Sequence, residues 1–121
     1  MKTFKEVLAW QKAYEFTLLV YKYTSDFPRS EEFGLKSQLR RAAVSVISNF
    51  AEGYKRKGEK EKLHFYNQSE ASLEEAKCQI MLSHDLKYID DEANAELENI
   101  SSLTGRLLYG WIESYKSPLN R

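Results

Sequence analysis

Apolar residues recur along the 121-residue chain at the three- and four-residue intervals of amphipathic helices. Four helices are predicted from this pattern, at about residues 3–24, 31–57, 59–87 and 90–116. No stretch shows the alternation typical of strands. Short connections make sequential helices antiparallel neighbours, so the pattern predicts an all-α fold, an antiparallel up-down-up-down four-helix bundle.

Each predicted helix has an apolar stripe that we expect to face the core. The first carries Phe4, Leu8, Tyr14, Leu18 and Tyr21. The second carries Leu35, Leu39, Ala42, Ala43, Val46, Phe50 and Tyr54. The third carries Leu63, Tyr66, Ser69, Leu73, Ala76 and Ile80, and the fourth carries Leu97, Ile100, Thr104, Leu107 and Trp111.

Small residues within these stripes predict close approach between helices. Ser69, Ser72 and Ala76 leave room for a neighbour against the third helix. Gly105 and Gly110 each cost about 1 kcal/mol relative to Ala inside a helix. Close backbone contact is the expected reason for both glycines.

Helix ends are marked by capping residues. The stretch "TFKE" has the form of a capping box, in which Thr3 and Glu6 satisfy each other's backbone N–H groups. Gly58 suits the C-terminal cap of the second helix. The acidic residues 90–92 favour the positive start of the fourth helix.

Composition agrees with one helical domain spanning residues 1–121. Hydrophobic residues make up 42% of the chain and charged residues 30%, with only five Gly and two Pro. A single cysteine, Cys78, excludes an internal disulfide and favours a reducing, cytoplasmic location. No targeting segment is visible, and the longest apolar run is too short to cross a bilayer.

Two constellations imitate ligand sites. The Gly53 and Gly58 spacing in "GYKRKGEK" is that of a phosphate-binding loop, but Glu59 stands where the motif requires Lys. Glu61 and His64 have the i, i+3 spacing that di-iron bundles use, although a second such pair is missing from the sequence. We therefore predict no metal site and no cofactor, and expect solvated helix positions instead.

Nucleophilic catalysis has equally little support. Ser45 has no evident histidine partner, and a lone Ser in a helix usually packs or bonds to the preceding turn. Cys78 has only Lys77 as an adjacent cation and is interpreted as an inert structural thiol. No catalytic set can be assembled, so we predict that the protein is not an enzyme.

A polar row follows the second helix beside its apolar face. Arg41, Ser45, Asn49 or Ser48, and Glu52 recur at helical spacing. Such a row is expected where a second subunit or another helix is bound through hydrogen bonds. It is therefore a candidate oligomer interface, with an ordinary solvated helix edge as the alternative.

The stretch "FPRSEEFGLKSQLRRAAVSVISNFAEGYKR" resembles the signature of bacterial four-helix bundle proteins encoded by ribosomal-RNA intervening sequences. The segments "VLAWQKAYE" and "ASLEEAKCQIMLSHDLKYI" extend the resemblance over nearly the whole chain, most specifically over residues 27–57. Ala71 and Lys87 depart from the family pattern, where Gly is usual at the first position and frequent at the second.

This resemblance implies an antiparallel bundle that assembles into a ring-like homo-oligomer, a pentamer, without established enzymatic activity. Relatives of the family include the accessory variability protein of diversity-generating retroelements, which works with nucleic acid and a reverse transcriptase. The resemblance therefore implies nucleic acid, RNA or DNA, as a partner class. A partner protein is the alternative, and the short apolar runs predict no membrane association.

Charge is segregated although the net charge of the chain is zero. In an up-down-up-down bundle one end collects nine basic and four acidic side chains, a net charge of +5. The opposite end collects four basic and seven acidic side chains, a net charge of −3. The nine basic residues are Lys2, Lys5, Lys55, Arg56, Lys57, Lys60, Lys62, Lys116 and Arg121.

A ring of parallel subunits would place every basic end on one face and create a multivalent phosphate-binding surface. The candidate nucleic-acid contacts are Lys55, Arg56, Lys57, Lys60 and Lys62. The structural alternative is a charge cluster that merely solvates a turn. The functional alternative is a protein-interaction scaffold that does not bind nucleic acid.

Overall fold

The structure, a computed structural model, describes residues 2–116 and confirms the all-α prediction. Its four helices are α1 (Leu8–Thr24), α2 (Leu35–Lys55), α3 (Glu59–Asp85) and α4 (Asp91–Tyr115). Short 3-10 turns at Phe4–Glu6 and Arg29–Glu31 precede α1 and α2. The described part of the chain contains no strand.

The helices form the predicted antiparallel four-helix bundle. α1 packs against α2 and α4, and α3 packs against the same two helices. The backbones of the diagonal pairs do not approach each other within the described residues. The start of α1, the α2–α3 turn and the end of α4 therefore lie at one end of the bundle.

α2 and α3 are held together at small residues, as the sequence predicts. The Ser69 hydroxyl donates to the carbonyl oxygen of Val46 at 2.6 Å. The Ser45 and Ser72 hydroxyl oxygens lie 2.8 Å apart in a second hydrogen bond. Ala76 is fully buried on the same stripe. Small side chains therefore let the two helices meet through hydroxyl groups.

The core face predicted for α1 is wrong at four of its five positions, and only Phe4 packs, half-buried, against the core. Leu8 and Leu18 are 51% and 56% exposed, and Tyr14 and Tyr21 are also exposed. The residues of α1 that are buried are Ala9, Ala13, Phe16, Thr17, Val20 and Thr24. The Thr17 hydroxyl shares its hydrogen between Ala13 O of its own helix at 2.9 Å and Ala43 O of α2 at 3.2 Å, so the small side chains of α1 let it approach α2 closely.

The predicted capping box does not form, and α1 begins at Leu8 instead of Thr3. The Thr3 side chain makes no capping hydrogen bond. The Glu6 carboxylate accepts from the backbone N–H of Lys2 at 2.9 Å instead of from Thr3. Residues 4–6 form a 3-10 turn, which ends at Val7 before the α-helix starts.

The other helix ends follow the predictions in part. Gly58 precedes α3 as its N-cap residue and does not close α2, whose C-cap is Arg56. The Asp90 carboxylate accepts from the backbone N–H of Ala93 at 2.8 Å, which confirms acidic capping of α4. Lys87 adopts a left-handed φ of 66°, the conformation that favours glycine. The family often has Gly at this position, so the Lys in this chain occupies the turn position whose backbone conformation favours glycine.

The α4 stripe is rotated slightly from the predicted one. Leu97 and Thr104 are buried, whereas the other three predicted positions are half-buried. The remaining buried positions of α4 are Ala93, Ser101, Leu108 and Ile112. A Cβ at Gly105 would meet only side-chain atoms, the nearest being Lys77 Nζ at 3.3 Å, and one at Gly110 would meet no described atom within 4 Å. The prediction of close backbone contact is therefore wrong for Gly110, and Gly105 has only side chains as neighbours.

Candidate nucleic-acid interface

Three lysines project freely from the α2–α3 turn. Lys55 ends α2, Lys57 lies in the connection, and Lys60 lies in the first turn of α3. All three are exposed, and their ammonium groups form no hydrogen bond or ion pair within residues 2–116. Each of these charges is available to an external anion.

Arg56, also a predicted contact, is held by the protein. Its Nη2 donates to Glu52 Oε1 at 2.6 Å, one helical turn earlier. Its guanidinium also lies over the ring of Phe65, 4.8 Å from the centroid. These contacts join the end of α2 to α3, so Arg56 fixes the turn more than it offers charge.

Lys62 has an internal role as well. Its ammonium donates to the carbonyl oxygens of Tyr54 at 2.8 Å and Gly53 at 3.2 Å. It also lies 5.6 Å and 5.7 Å from the ring centroids of Tyr54 and Tyr115. Burial lowers the pKa of the Lys62 ammonium. Lys62 therefore satisfies the last carbonyls of α2 and is not a free phosphate contact.

An aromatic cluster lies beneath this turn and supports it. Its members are Phe50, Tyr54, Tyr66, Trp111 and Tyr115. The centroid of the Phe50 ring lies 5.1 Å from that of Tyr66 and 5.6 Å from that of Trp111. Trp111 and Tyr115 are 5.1 Å apart. The cluster joins α2, α3 and α4 directly below the free lysines.

Further cations lie at the same end. Lys2 and Lys5 are exposed beside the start of α1, and no ion pair engages their side chains within the described part of the chain. Lys116 pairs with Glu113 at 3.2 Å. Arg121 lies outside the described residues. The free charge of this end is therefore carried by Lys2 and Lys5 together with the lysines of the turn.

The polar row of α2 divides into different local roles. Ser45 bonds to Ser72 of α3, and Asn49 Nδ2 donates to Ser45 Oγ at 2.8 Å. Glu52 pairs with Arg56, the C-cap residue of the same helix. Arg41 is exposed. The contact between helices of one subunit thus accounts for Ser45 and Asn49, and the oligomer interface stays a prediction with Arg41 as its unengaged member.

Two contributors to this end were missed in the sequence. A Cβ at Gly53 would lie 2.8 Å from Cε1 of Tyr66, so the glycine permits the aromatic ring to rest on α2. A glycine inside a helical pattern was an available signal for such an approach. The Phe65 partner of Arg56 left no signal, because the pair spans the turn between two helices.

The rejected ligand sites can also be located. Glu61 and His64 are both exposed on α3. No group of three or more His, Cys, Asp or Glu side chains suited to a metal occurs within residues 2–116. Cys78 is exposed, which contradicts a structural role for its thiol, and its predicted inertness stays a prediction. None of the described helices has the length and apolarity needed to span a membrane.

Tyr66 carries a buried hydroxyl in the aromatic cluster. The residue is fully buried, and its oxygen has no well-aligned hydrogen bond to the described residues. Burial raises the pKa of Tyr66 to about 12. Since the unfolded chain ionises near pH 10, the folded state binds this proton more tightly and loses stability as pH rises from about 10 to 12.

We expect Tyr66→Phe to reduce this alkaline loss of stability. At pH 7 the variant should be equal to or up to about 1 kcal/mol more stable than the wild type, because a buried hydroxyl without an aligned partner is removed. Urea unfolding at pH 7, 10 and 11.5 measures both effects, with the exposed Tyr109→Phe as control. The prediction would be contradicted if the wild type, Tyr66→Phe and Tyr109→Phe all lost the same free energy of unfolding between pH 7 and pH 11.5.

Comparison with known proteins finds a family match and a solved structure of similar fold. The model of the 23S rRNA-intervening sequence protein family matches residues 5–110. A crystal structure of a protein of unknown function from the S23 ribosomal protein family of Bacteroides thetaiotaomicron superposes with a TM-score of 0.78 at 22% identity. The match covers 87% of this chain and 98% of that one. A search of curated proteins finds no match. Because the family match spans most of the helical bundle, this chain belongs to the 23S rRNA-intervening sequence protein family.

Proposed function

We propose that the protein is a non-enzymatic, ring-forming homo-oligomer, a pentamer, that binds nucleic acid through the basic end of its bundle. The observation that carries the proposal is the set of three unpaired ammonium groups on one turn, those of Lys55, Lys57 and Lys60. The aromatic cluster and the Lys62 bonds hold that turn in place. A positioned group of free lysines fits a phosphate backbone better than charges that neutralise one another.

Assembly would supply the affinity that one turn lacks. A protein that neutralises several phosphates releases their counterions, so each added lysine contact strengthens binding at low salt. Parallel subunits in a ring repeat the turn on one face, and the second and later contacts form at high effective concentration. Zero net charge of the monomer is compatible with this arrangement, because opposite charges lie at opposite ends.

RNA is the first nucleic acid to test, since the family is described by intervening sequences of 23S rRNA. Lysine ammonium groups contact phosphates as point charges and carry no base code. Arg56, which has the planar donor group suited to bidentate recognition, is engaged by Glu52 and Phe65. We therefore expect binding that responds to salt and to the number of phosphates more than to sequence.

Neutralising the free lysines tests this function. We expect the triple variant Lys55→Gln, Lys57→Gln and Lys60→Gln to bind structured RNA at least tenfold more weakly at low salt, with a shallower salt dependence. Fluorescence anisotropy of nuclease-treated protein with RNA and duplex DNA, at low and physiological salt, measures this.

A matched control loses the same total charge at the opposite end of the bundle. The control variant carries Lys22→Gln, Arg29→Gln and Lys87→Gln, all exposed positions. Binding near the wild-type level in the control locates the site at the α2–α3 turn. Equal weakening of both triple variants, or no binding by the wild type at low salt, would overturn the proposed site.

A second candidate is a protein-interaction scaffold that does not touch nucleic acid. The large exposed apolar side chains of α1, among them Leu18 and Tyr14, favour it, because such residues are common where proteins meet. A partner protein that co-purifies unchanged after nuclease treatment would support this scaffold, provided that anisotropy shows no RNA binding.

A further inference from the structure

Two grooves of opposite charge flank α1. The basic groove lies between α1 and α2, and six of its lining residues are Tyr21, Phe33, Lys36, Arg40, Arg41 and Val44. The acidic groove lies between α1 and α4, and six of its lining residues are Glu15, Leu18, Leu19, Glu96, Ile100 and Leu103. Both combine apolar side chains with charges of one predominant sign.

Phe33 is the most exposed large apolar residue in the described part of the chain. It lies in the turn before α2, at the rim of the basic groove, with 96% of its surface exposed. No residue within 2–116 of the same subunit covers the ring. An aromatic side chain that protrudes so fully gains most when it enters an apolar site on another molecule.

The acidic groove has the properties of such a site. Its volume is about 530 Å³, and Leu18, at its edge, is 56% exposed. The Glu96 carboxylate is held by the hydroxyl of Tyr23 on α1. Apolar side chains line most of it, together with the carboxylates of Glu15 and Glu96. Glu15 pairs with Lys12 at 3.1 Å, whereas Glu96 forms no ion pair within the described residues, so Glu96 supplies most of the uncompensated negative charge.

The charges of the two grooves are complementary. In the basic groove Lys36, Arg40 and Arg41 stand against one carboxylate, that of Glu32. Lys36 pairs with Glu32, and Arg40 stacks on its neighbour Tyr21. Arg41 is exposed and engages no described residue. It can therefore meet a carboxylate of the acidic groove.

We propose that a second copy of this chain covers these surfaces. Phe33 of one copy inserts in the acidic groove of the next copy, and Arg41 of the first copy lies beside Glu15 and Glu96 of the next. The proposal rests on the assembly proposed above and names its contact. A protruding group that fits a pocket elsewhere on the same molecule makes a heterologous contact, which generates a closed ring when the rotation between subunits closes and an open filament when it does not. Arg41 thereby receives the interface role predicted for the polar row.

Loss of the Phe33 ring tests the contact. We expect Phe33→Ala to raise the dissociation constant of the assembly at least tenfold, seen as a shift toward monomer mass in light scattering at micromolar concentration. Tyr109→Ala, which removes another exposed aromatic ring that lines neither groove, is the matched control and should leave the mass unchanged. Far-ultraviolet circular dichroism confirms that both variants keep their helices.

Charge reversal provides a test that misfolding cannot imitate. Arg41→Glu alone should weaken assembly, as should the pair Glu15→Lys and Glu96→Lys. Combining all three reversals should restore the wild-type mass, because the two surfaces again carry opposite signs. Failure of the combination to restore assembly that both parents lose would overturn the pairing.

The outcomes separate this contact from the proposed function. An oligomeric wild type whose mass does not respond to Phe33→Ala overturns the contact and leaves the ring-based function standing. A wild type that stays monomeric at high micromolar concentration overturns both the ring and the contact. Anisotropy with the lysine variants then still reports whether the basic end of a single subunit binds RNA.

Discussion

Replacing Phe50 with Ala should lower the free energy of unfolding by about 3–5 kcal/mol. The ring is fully buried and lies between Tyr66 of α3 and Trp111 of α4. Its removal takes away a large apolar surface and leaves a cavity, because two aromatic neighbours anchored in different helices cannot collapse fully onto a methyl group. Domains are typically stable by about 5–15 kcal/mol, so a substantial part of the margin would be lost.

Chemical denaturation followed by circular dichroism at 222 nm measures this difference. Tyr109→Ala is the control, because its side chain is 61% exposed and its loss should change stability by no more than about 0.5 kcal/mol. The same Phe50 variant should bind RNA more weakly when it is partly unfolded, since the free lysines would no longer be positioned. A loss below about 1 kcal/mol would show that the aromatic cluster does not anchor this end of the bundle.

The bundle was largely predictable because periodicity reports burial well on helices with one clear stripe. All the predicted core positions of α2 except Tyr54 are buried, and most of those on α3 are buried too. α1 defeated the same reasoning, because large apolar residues occupy two of its faces. Size favoured Leu8 and Leu18, whereas close packing on α2 selected Ala13 and Thr17 for the core.

The candidate site was predictable as a region and not as a set of equivalent residues. Charge clustering located the basic turn, since lysines adjacent in sequence stay close together in space. Charge clustering could not distinguish Lys60 from Lys62, because the two lysines differ in the partners of their side chains and not in their local sequence. Lys62 finds carbonyl groups across the turn, and Arg56 finds Phe65 on the next helix. Such partners depend on how the helices pack, and a local sequence pattern does not reveal them.

The approach of α3 to Gly53 gives a second large effect. A Cβ at this position would lie 2.8 Å from Cε1 and 2.9 Å from Cδ1 of Tyr66, and 3.1 Å from Cβ of Phe65. Tyr66 is fixed among Phe50, Trp111 and Tyr115, so its ring cannot yield without disturbing the cluster. A side chain here must therefore push α3 away from α2.

We expect Gly53→Val to destabilise the protein by about 3 kcal/mol, the upper part of the range for overpacked positions. Gly110→Val is the matched control, because a Cβ there meets no described atom within 4 Å and Val is a better helix former than Gly. The control should be unchanged or slightly stabilised, by no more than about 0.5 kcal/mol. Urea unfolding of the two variants measures this difference in stability. Equal losses would show that contact with Tyr66 is not what makes Gly53 necessary.

Separation of α3 from α2 would also break the Lys62 bonds to Gly53 and Tyr54, so RNA binding should weaken in Gly53→Val under conditions where the protein remains folded.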